Sequence, residues 1–149
     1  MKIEEAIKQK KFSNSQERAW INLIYTYNQL SGKLEELFKR FDLTHQQYNV
    51  LRILRGKHPE SACCGAIKEV MLDKNPDLTR LCDRLLSKGL VDRFVNEENR
   101  RQVNVGITEK GLKLLEEMEP VMKEYNNIAE NLTEEEANTL SDLLDKLRG

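Results

Sequence analysis

Long apolar runs and targeting signals are absent from this chain of 149 residues. No stretch approaches the roughly 20 apolar residues that a membrane-spanning helix needs. The first residues, MKIEEAIKQKK, lack the apolar segment of a signal peptide. We therefore expect a cytoplasmic protein with no membrane segment.

Cysteine and histidine are scarce, and their spacing does not fit a structural framework. Cys63 and Cys64 are adjacent, Cys82 stands apart, and the odd total of three leaves no full pairing. His45 and His58 have no neighbour at the spacing of metal ligands. We therefore expect no disulfide framework, no metal site and no other cofactor.

Motifs of catalysis are missing as well. The chain has no glycine-rich phosphate loop, no serine nucleophile motif and no cysteine–histidine pairing. Hydrophobic residues nevertheless make up 39% of the sequence, which is enough for one domain with a core. We expect a single domain over residues 1–149 that is not an enzyme.

The net charge of −1 hides an uneven distribution of charged residues. Residues 74–101 contain seven Lys or Arg against five Asp or Glu, whereas residues 109–149 contain five against eleven. Basic segments are typical of contact with a phosphate backbone, and acidic helices elsewhere need not face it. The distribution favours residues 74–101 as a nucleic-acid contact.

The stretch from Lys74 to Gly111 begins with a predicted helix. Asn75 is a good helix cap, Pro76 suits the first helical position, and Gly89 ends the helix. Apolar residues recur on one face at helical spacing, namely Leu78, Leu81, Cys82 and Leu85. The other face carries Pro76, Thr79, Arg80, Asp83, Arg84 and Ser87. The pattern predicts one buried face and one hydrogen-bonding face.

Two short strands joined by a polar tip are predicted after this helix. Residues 91–95 form the first strand, and residues 102–107 alternate as a half-buried strand does. The connecting residues 96–101 are wholly polar and end in Arg100 and Arg101. A helix with a polar outer face followed by a basic hairpin is the layout of a winged helix-turn-helix.

These motifs, at their mutual spacing, resemble the MarR (multiple antibiotic resistance regulator) family of bacterial transcription factors. The matching residues are Leu78-Thr79-Arg80-Leu81, Asp83-Arg84-Leu85, Lys88-Gly89-Leu90-Val91, Arg93, Asn99-Arg100-Arg101 and Ile107-Thr108-Glu109-Lys110-Gly111. Weaker agreement extends from about Leu30 to the C-terminus. Asn99 stands where the family usually has Asp, so it offers arginine a neutral hydrogen bond and not a charge-assisted one.

The resemblance implies a double-stranded DNA site on the helix and the wing. The residues expected to approach bases are Asn75, Asp77, Leu78, Thr79 and Arg80. Lys74 and Arg84 are expected at phosphates, and Arg93 at the wing or a phosphate. The wing contacts are expected from Asn99, Arg100 and Arg101, with Arg101 entering the minor groove. Asp83 completes the predicted site.

Long helices flank the predicted winged lobe, which spans residues 43–107. From Trp20 to Phe41, apolar residues recur at three- and four-residue steps without a break. Such a long stripe is expected to pack partly within its own subunit and partly against a second one. Segments 14–42 and 108–149 are therefore interpreted as dimerisation helices, and the resemblance implies a homodimer. The fold expected is mainly α, with a wing of two or three short strands.

Start signals place the remaining N-terminal elements. Residues 2–14 are polar and predict a loose or short helical arm. Thr44 and Gln47 form a capping box that begins the next helix. Residues 62–72 predict the first helix of the helix-turn-helix, with a turn at residues 73–74.

The C-terminal half is predicted to contain two more helices. Thr108 caps the first, whose apolar stripe runs on to Leu132, and Pro120 predicts a kink within it. Thr133 and Glu136 form a second capping box, which begins the last helix.

The resemblance implies a homodimeric repressor that binds a pseudo-palindromic operator and is released by a small phenolic or other apolar effector. Trp20, Tyr25 and Tyr27 are interpreted as core or interface side chains, with an effector pocket as the alternative.

Two other functions stay open. One is a winged helix used for protein contact, with the acidic terminal helices as the docking surface. The other is a thiol-based redox-responsive regulator. Cys82 falls on the core face, whereas Cys63 and Cys64 open a predicted helix, where the helix N-terminus favours a thiolate.

Overall fold

Helices account for most of the chain, and three short strands form one sheet. The computed structural model describes residues 1–149. The N-terminal elements are α1 (Ile3–Ala6), α2 (Ser15–Lys39), α3 (His45–Lys57), β1 (Ala62–Cys63) and α4 (Cys64–Val70). They are followed by α5 (Leu78–Ser87), β2 (Val91–Val95), β3 (Val103–Ile107), α6 (Glu109–Asn126), a 3₁₀ turn (Asn127–Ala129) and α7 (Glu134–Arg148). The predicted mainly α class with a small wing is confirmed.

The chain divides into two units, Met1–Tyr48 and Asn49–Gly149. The expectation of a single domain, with a winged lobe at 43–107 between helices at 14–42 and 108–149, stays a prediction.

Helix α2 dominates the first unit. It begins at Ser15 and not at Trp20, because Asn14 is its cap and accepts a hydrogen bond from the Glu17 amide at 2.8 Å. Its apolar stripe buries only Phe38, whose ring lies 4.8 Å from that of Tyr48. The prediction of a long amphipathic helix is confirmed, but most of its stripe is not core.

The other aromatic residues of α2, namely Trp20, Tyr25 and Tyr27, are not buried in the single chain. Trp20 is 54% exposed and Tyr27 is 66% exposed, while Tyr25 is half-buried. Their interpretation as core side chains is therefore wrong within a single chain, and the interface interpretation stays a prediction.

The sheet has the strand order β1-β3-β2 and is antiparallel throughout. Residues Ala62 and Cys63, predicted to begin a helix, instead form a strand, because Ala62 pairs with Val105 of β3. The following helix is correspondingly shorter than residues 62–72 and ends at Val70. Its cap is Cys63, whose Sγ accepts a hydrogen bond from the Ala66 amide at 3.5 Å.

The start of α6 is tied to the turn between α5 and β2. The Thr108 hydroxyl donates to the Gly89 carbonyl at 2.7 Å and accepts from the Gly111 amide at 3.1 Å. Lys110 Nζ donates to the Lys88 carbonyl at 2.8 Å. A side chain at Gly111 would overlap the Leu90 carbonyl, so only glycine fits at this crossing.

The C-terminal helices differ from the prediction at one point. Helix α6 runs through Pro120 to Asn126, and the predicted continuation to Leu132 is broken by the 3₁₀ turn. Thr133 and Glu136 form the expected capping box at the start of α7. The predicted kink at Pro120 stays a prediction.

Apolar side chains from the helices and the sheet form the core of the second unit. Those with almost no exposed surface are Val50, Leu51, Leu54, Ile67, Leu85, Val91, Val105, Leu115 and Met118. They come from α3, α4, α5, β2, β3 and α6, so α5 and the wing strands share one packed support. Helix α7 contributes no buried residue.

Candidate nucleic-acid interface

Helix α5 begins two residues later than the sequence predicts. Asp77, and not Asn75, is the cap, and its carboxylate accepts a hydrogen bond from the Arg80 amide at 3.2 Å. Pro76 is buried before the helix and is not its first residue. A carboxylate also complements the positive end of the helix dipole, which favours Asp77 over a neutral cap. Lys74 and Asn75 therefore lie in the exposed loop before α5.

One face of α5 is buried and the other is exposed, as the sequence predicts. Leu78, Leu81, Cys82 and Leu85 are buried. Thr79, Arg80, Asp83 and Arg84 are exposed. Gly89, at a φ of 71°, ends the helix in the left-handed conformation that glycine adopts without strain. Leu78 was also expected near bases, but its side chain belongs to the buried face and packs in the core.

Asp83 and Arg93, both in the predicted site, form an ion pair with each other. The pair joins the outer face of α5 to β2, and both side chains remain about half exposed. Exposed pairs of this kind stabilise a fold by about 0.2–1 kcal/mol. The ion pair joins Arg93 of β2 to α5 within the protein. Its expected role at the wing or at a phosphate stays a prediction.

The wing tip is closed by two asparagine side chains. Asn96 Oδ1 accepts hydrogen bonds from the amides of Glu98 and Asn99, at 3.0 and 3.3 Å. Asn99 Oδ1 in turn accepts from the amide of Arg101 at 3.2 Å. The donor in this bond is the backbone amide of Arg101, which is neutral, so a carboxylate is not needed as the acceptor. The Asn at this position therefore orders the tip without a charge.

Several cations at the interface have no acidic partner in the chain. The guanidinium groups of Arg80, Arg84, Arg100 and Arg101 take part in no ion pair. They come from the exposed face of α5 and from the wing tip. Unpaired guanidinium groups on two adjacent elements are suited to bind phosphate or base acceptors.

A pocket of about 420 Å³ lies between α4, α5 and the wing. Its lining residues are Cys63, Cys64, Gly65, Thr79, Cys82, Arg93, Arg101, Gln102, Val103 and Val105. It includes Arg101, for which the resemblance implies a contact in the minor groove of DNA. The sequence pattern gave no signal for the pocket or for Gln102, because the lining comes from five elements and the wing tip, which only the fold brings together.

No group of three or more His, Cys, Asp or Glu side chains is arranged to hold a metal ion. None of the helices is both long enough and apolar enough to span a membrane. Helix α5 has one buried face and one exposed, charged face, and it lies beside a basic β-hairpin. That arrangement defines a winged helix-turn-helix protein.

Comparisons with known proteins agree with this class. The family model described as MarR family matches residues 43–103. The multiple antibiotic resistance protein MarR of Salmonella typhimurium is 35% identical over 133 residues, which cover 84% of this chain and 88% of that protein.

Two crystal structures extend the match to the fold. A MarR transcription factor from Planctomyces limnophilus is 37% identical, with a TM-score of 0.70 over 93% of this chain and 98% of that chain. A mutant of E. coli MarR complexed with operator DNA is 32% identical, with a TM-score of 0.72 over 85% of this chain and 91% of that chain. The chain therefore belongs to the MarR family of transcriptional regulators.

Proposed function

We propose that this protein is a homodimeric repressor that reads a pseudo-palindromic DNA operator with α5 and the wing. The observation that carries the proposal is the construction of α5. Its apolar face is buried in the core, and its opposite face presents Thr79, Arg80 and Arg84 to solvent beside the basic wing tip. The crystal structure of the E. coli MarR mutant, a relative at 32% identity, is complexed with operator DNA, which supports DNA binding by this chain.

The contacts divide into two kinds. Thr79 and Arg80, in the first turn of α5, approach base edges, and Asn75 and Asp77 stand beside them. Lys74 and Arg84 neutralise phosphates. On the wing, Arg100 and Arg101 approach the backbone and the adjacent minor groove, where the negative potential is strongest. Base contacts give sequence preference, whereas phosphate contacts give affinity without it.

The dimer is supported by the exposed apolar side chains of α2 and α7. Leu140, Leu143 and Leu147 of α7 are exposed in the single chain, as are Trp20 and Tyr27 of α2. A dimer that covers them and has two-fold symmetry would place the two α5 helices about 34–36 Å apart, in successive major grooves. A small phenolic or other apolar effector that favours a different spacing would release the operator.

The test is binding of the purified protein to DNA from its own upstream region, against a scrambled duplex, across a salt series. We expect tight binding that prefers the natural sequence. The logarithm of affinity should fall with the logarithm of salt at about −0.9 per phosphate neutralised. Selection from random duplexes would find an operator located elsewhere.

Arg80→Ala provides the internal check on base reading. It should lower affinity for the operator by about 1–3 kcal/mol and affinity for the scrambled duplex by less. Lys113→Ala, which removes the same charge from the exposed surface of α6, is the matched control and should leave both affinities unchanged. Equal losses on both duplexes for Arg80→Ala would contradict base reading.

A second candidate function is protein contact through the C-terminal helices. It is favoured by the eleven acidic residues within 109–149 and by the exposed leucines of α7. Selection that yields no preferred duplex, together with weak dependence of any binding on salt, would support this function over the DNA-reading one.

A further inference from the structure

The neck of the wing is closed by two side-chain amides that face each other. The ladder between β2 and β3 ends at Val95 and Val103, and Asn96 and Gln102 follow these residues towards the tip. The backbone amide of Asn96 donates to the Gln102 carbonyl at 3.1 Å, and Asn96 Nδ2 donates to Gln102 Oε1 at 3.3 Å. These two residues, the neck pair, therefore bond through both their backbones and their side chains.

Asn96 also holds the tip beyond the neck. Its Oδ1 accepts from the amides of Glu98 and Asn99 at 3.0 and 3.3 Å. Because both of these partners are donors, the oxygen of the Asn96 side chain must face them, which leaves Nδ2 for Gln102. The Gln102 amide donates to the Asn99 carbonyl at 2.8 Å, and Asn99 Oδ1 accepts from the Arg101 amide at 3.2 Å. Four backbone amides of the tip are thus bonded within it.

We propose that Asn96 and Gln102 are positioning residues for DNA binding, and that the neck pair fixes the direction in which Arg100 and Arg101 leave the wing before DNA arrives. This inference rests on the proposed function, which assigns both arginines to the DNA backbone and the minor groove. Both arginines are exposed and take part in no ion pair. Their side chains therefore stay available to DNA while the backbone that carries them is held.

The tip contributes little to the stability of the fold. Every residue from Glu97 to Gln102 is exposed, and Asn96 is only half-buried. Water can satisfy exposed polar groups, so hydrogen bonds among them add little to the free energy of folding. These bonds instead reduce the number of conformations that the tip samples. A tip that is ordered in advance avoids the loss of conformational entropy that DNA binding would otherwise impose on it.

The neck pair orders the tip without using a charged group. Its bonds join neutral amides, so added salt does not screen them as it screens an ion pair. They also leave the charges of Arg100 and Arg101 intact, whereas a carboxylate bonded to either guanidinium would offset its charge. The tip is therefore held in place without weakening the attraction of the wing to phosphate.

The first experiment needs no DNA. Backbone ¹⁵N relaxation of the free protein measures the order of residues 97–101 on the picosecond to nanosecond timescale. We expect order parameters of about 0.85 in the wild type, as in rigid backbone, and below about 0.6 in Asn96→Ala. Gln102→Met, which keeps the length of the side chain but removes the acceptor, should give values between the two. A wild-type tip as mobile as that of Asn96→Ala would overturn the proposal.

The second experiment measures operator affinity by fluorescence anisotropy. Gln102→Met loses one neutral hydrogen bond and should bind about two- to tenfold more weakly than the wild type. Asn96→Ala loses three side-chain bonds and should bind more weakly still. Asn131→Ala, the matched control, removes the same amide from the exposed turn before α7 and should leave affinity unchanged. The midpoint of urea unfolding should be the same for all these proteins.

The third experiment separates positioning from a general effect on structure, because a positioning residue acts only through the groups that it positions. Both substitutions are repeated in a chain that carries Arg100→Ala and Arg101→Ala. In that chain, Asn96→Ala and Gln102→Met should each change operator affinity by less than about twofold. An undiminished loss there, or no loss when both arginines are present, would overturn the positioning role.

Failure of the proposed function gives a different result. If the wild type binds no preferred duplex, the proposed function fails, and the role of the neck pair in DNA binding fails with it. The relaxation measurement does not depend on DNA, so it still decides whether Asn96 and Gln102 order the tip.

Discussion

Helices α5 and α7 carry similar apolar stripes, yet only one of the stripes is covered. All four apolar residues on the inner face of α5 are buried. On α7, Leu140, Leu143 and Leu147 are 47%, 59% and 61% exposed, and no residue of the helix is buried. An amphipathic sequence therefore indicates that a face requires cover, but not whether the cover comes from the same chain. For α5 the cover is the core of its own unit, and for α7 it is absent from the single chain.

The largest expected effect is in the core beneath α5. Leu85→Ala should lower the free energy of unfolding by about 2–5 kcal/mol, because Leu85 has no exposed surface and its removal leaves a cavity. Urea unfolding at fixed protein concentration measures this loss. Leu86→Ala, at the adjacent half-buried position, is the matched control and should cost less. Equal costs for the two variants would contradict the assignment of the buried face.

A smaller effect is expected from substitutions on α7. They should weaken dimer formation and leave the stability of the winged lobe unchanged. Leu143→Glu should weaken the proposed dimer by about 1.5–3 kcal/mol for each side chain that the interface would bury. Sedimentation across a concentration series should then detect monomer where the wild type is dimeric. Ser141→Glu, two residues away and exposed, is the control that adds the same charge. A wild type that is monomeric at every concentration would break the comparison between the two helices.

Features that depend on neighbouring residues could be predicted from the sequence. The capping boxes at Thr44 and Thr133 and the cap at Thr108 follow from hydrogen bonds between residues three positions apart. The apolar face of α5 follows from its helical period. The two wing strands were predicted from alternation and from the polar tip between them, and both are present.

Features that depend on distant partners could not be predicted. Ala62 is a strand residue only because β3 lies beside it. The start of α5 was misplaced because Asn75 and Asp77 are both good caps, and it is Asp77 whose side chain accepts a hydrogen bond from the Arg80 amide. The pair of Asp83 and Arg93 joins two elements whose separation the sequence does not specify.

The candidate site shows the same division. Its residue types and spacing identified the basic face and the wing, and the resemblance gave them a function. Neither revealed that Arg101 lines a pocket with Cys82. That fact depends on how α5 packs against the sheet, which periodicity along one helix does not specify.

The smallest expected effect compares two exposed ion pairs, one on each helix. Asp83 of α5 pairs with Arg93 of β2, whereas Asp145 of α7 pairs with Arg148 one turn along the same helix. Double-mutant cycles to alanine should give about 0.2–1 kcal/mol of coupling for the first pair and no more for the second, falling with added salt.

Of these two ion pairs, only the one between Asp83 and Arg93 should also affect the affinity for operator DNA. Asp83→Asn removes the carboxylate that holds Arg93 to α5, so the wing loses this ion pair and the operator affinity should change. Asp145→Asn makes the same chemical change on α7 and should leave operator affinity as it was. Fluorescence anisotropy with a labelled operator measures both variants. Equal changes in operator affinity for the two variants would mean that the ion pair at α5 is only a surface contact. In that case α5 and α7 would not differ in how their ion pairs affect DNA binding.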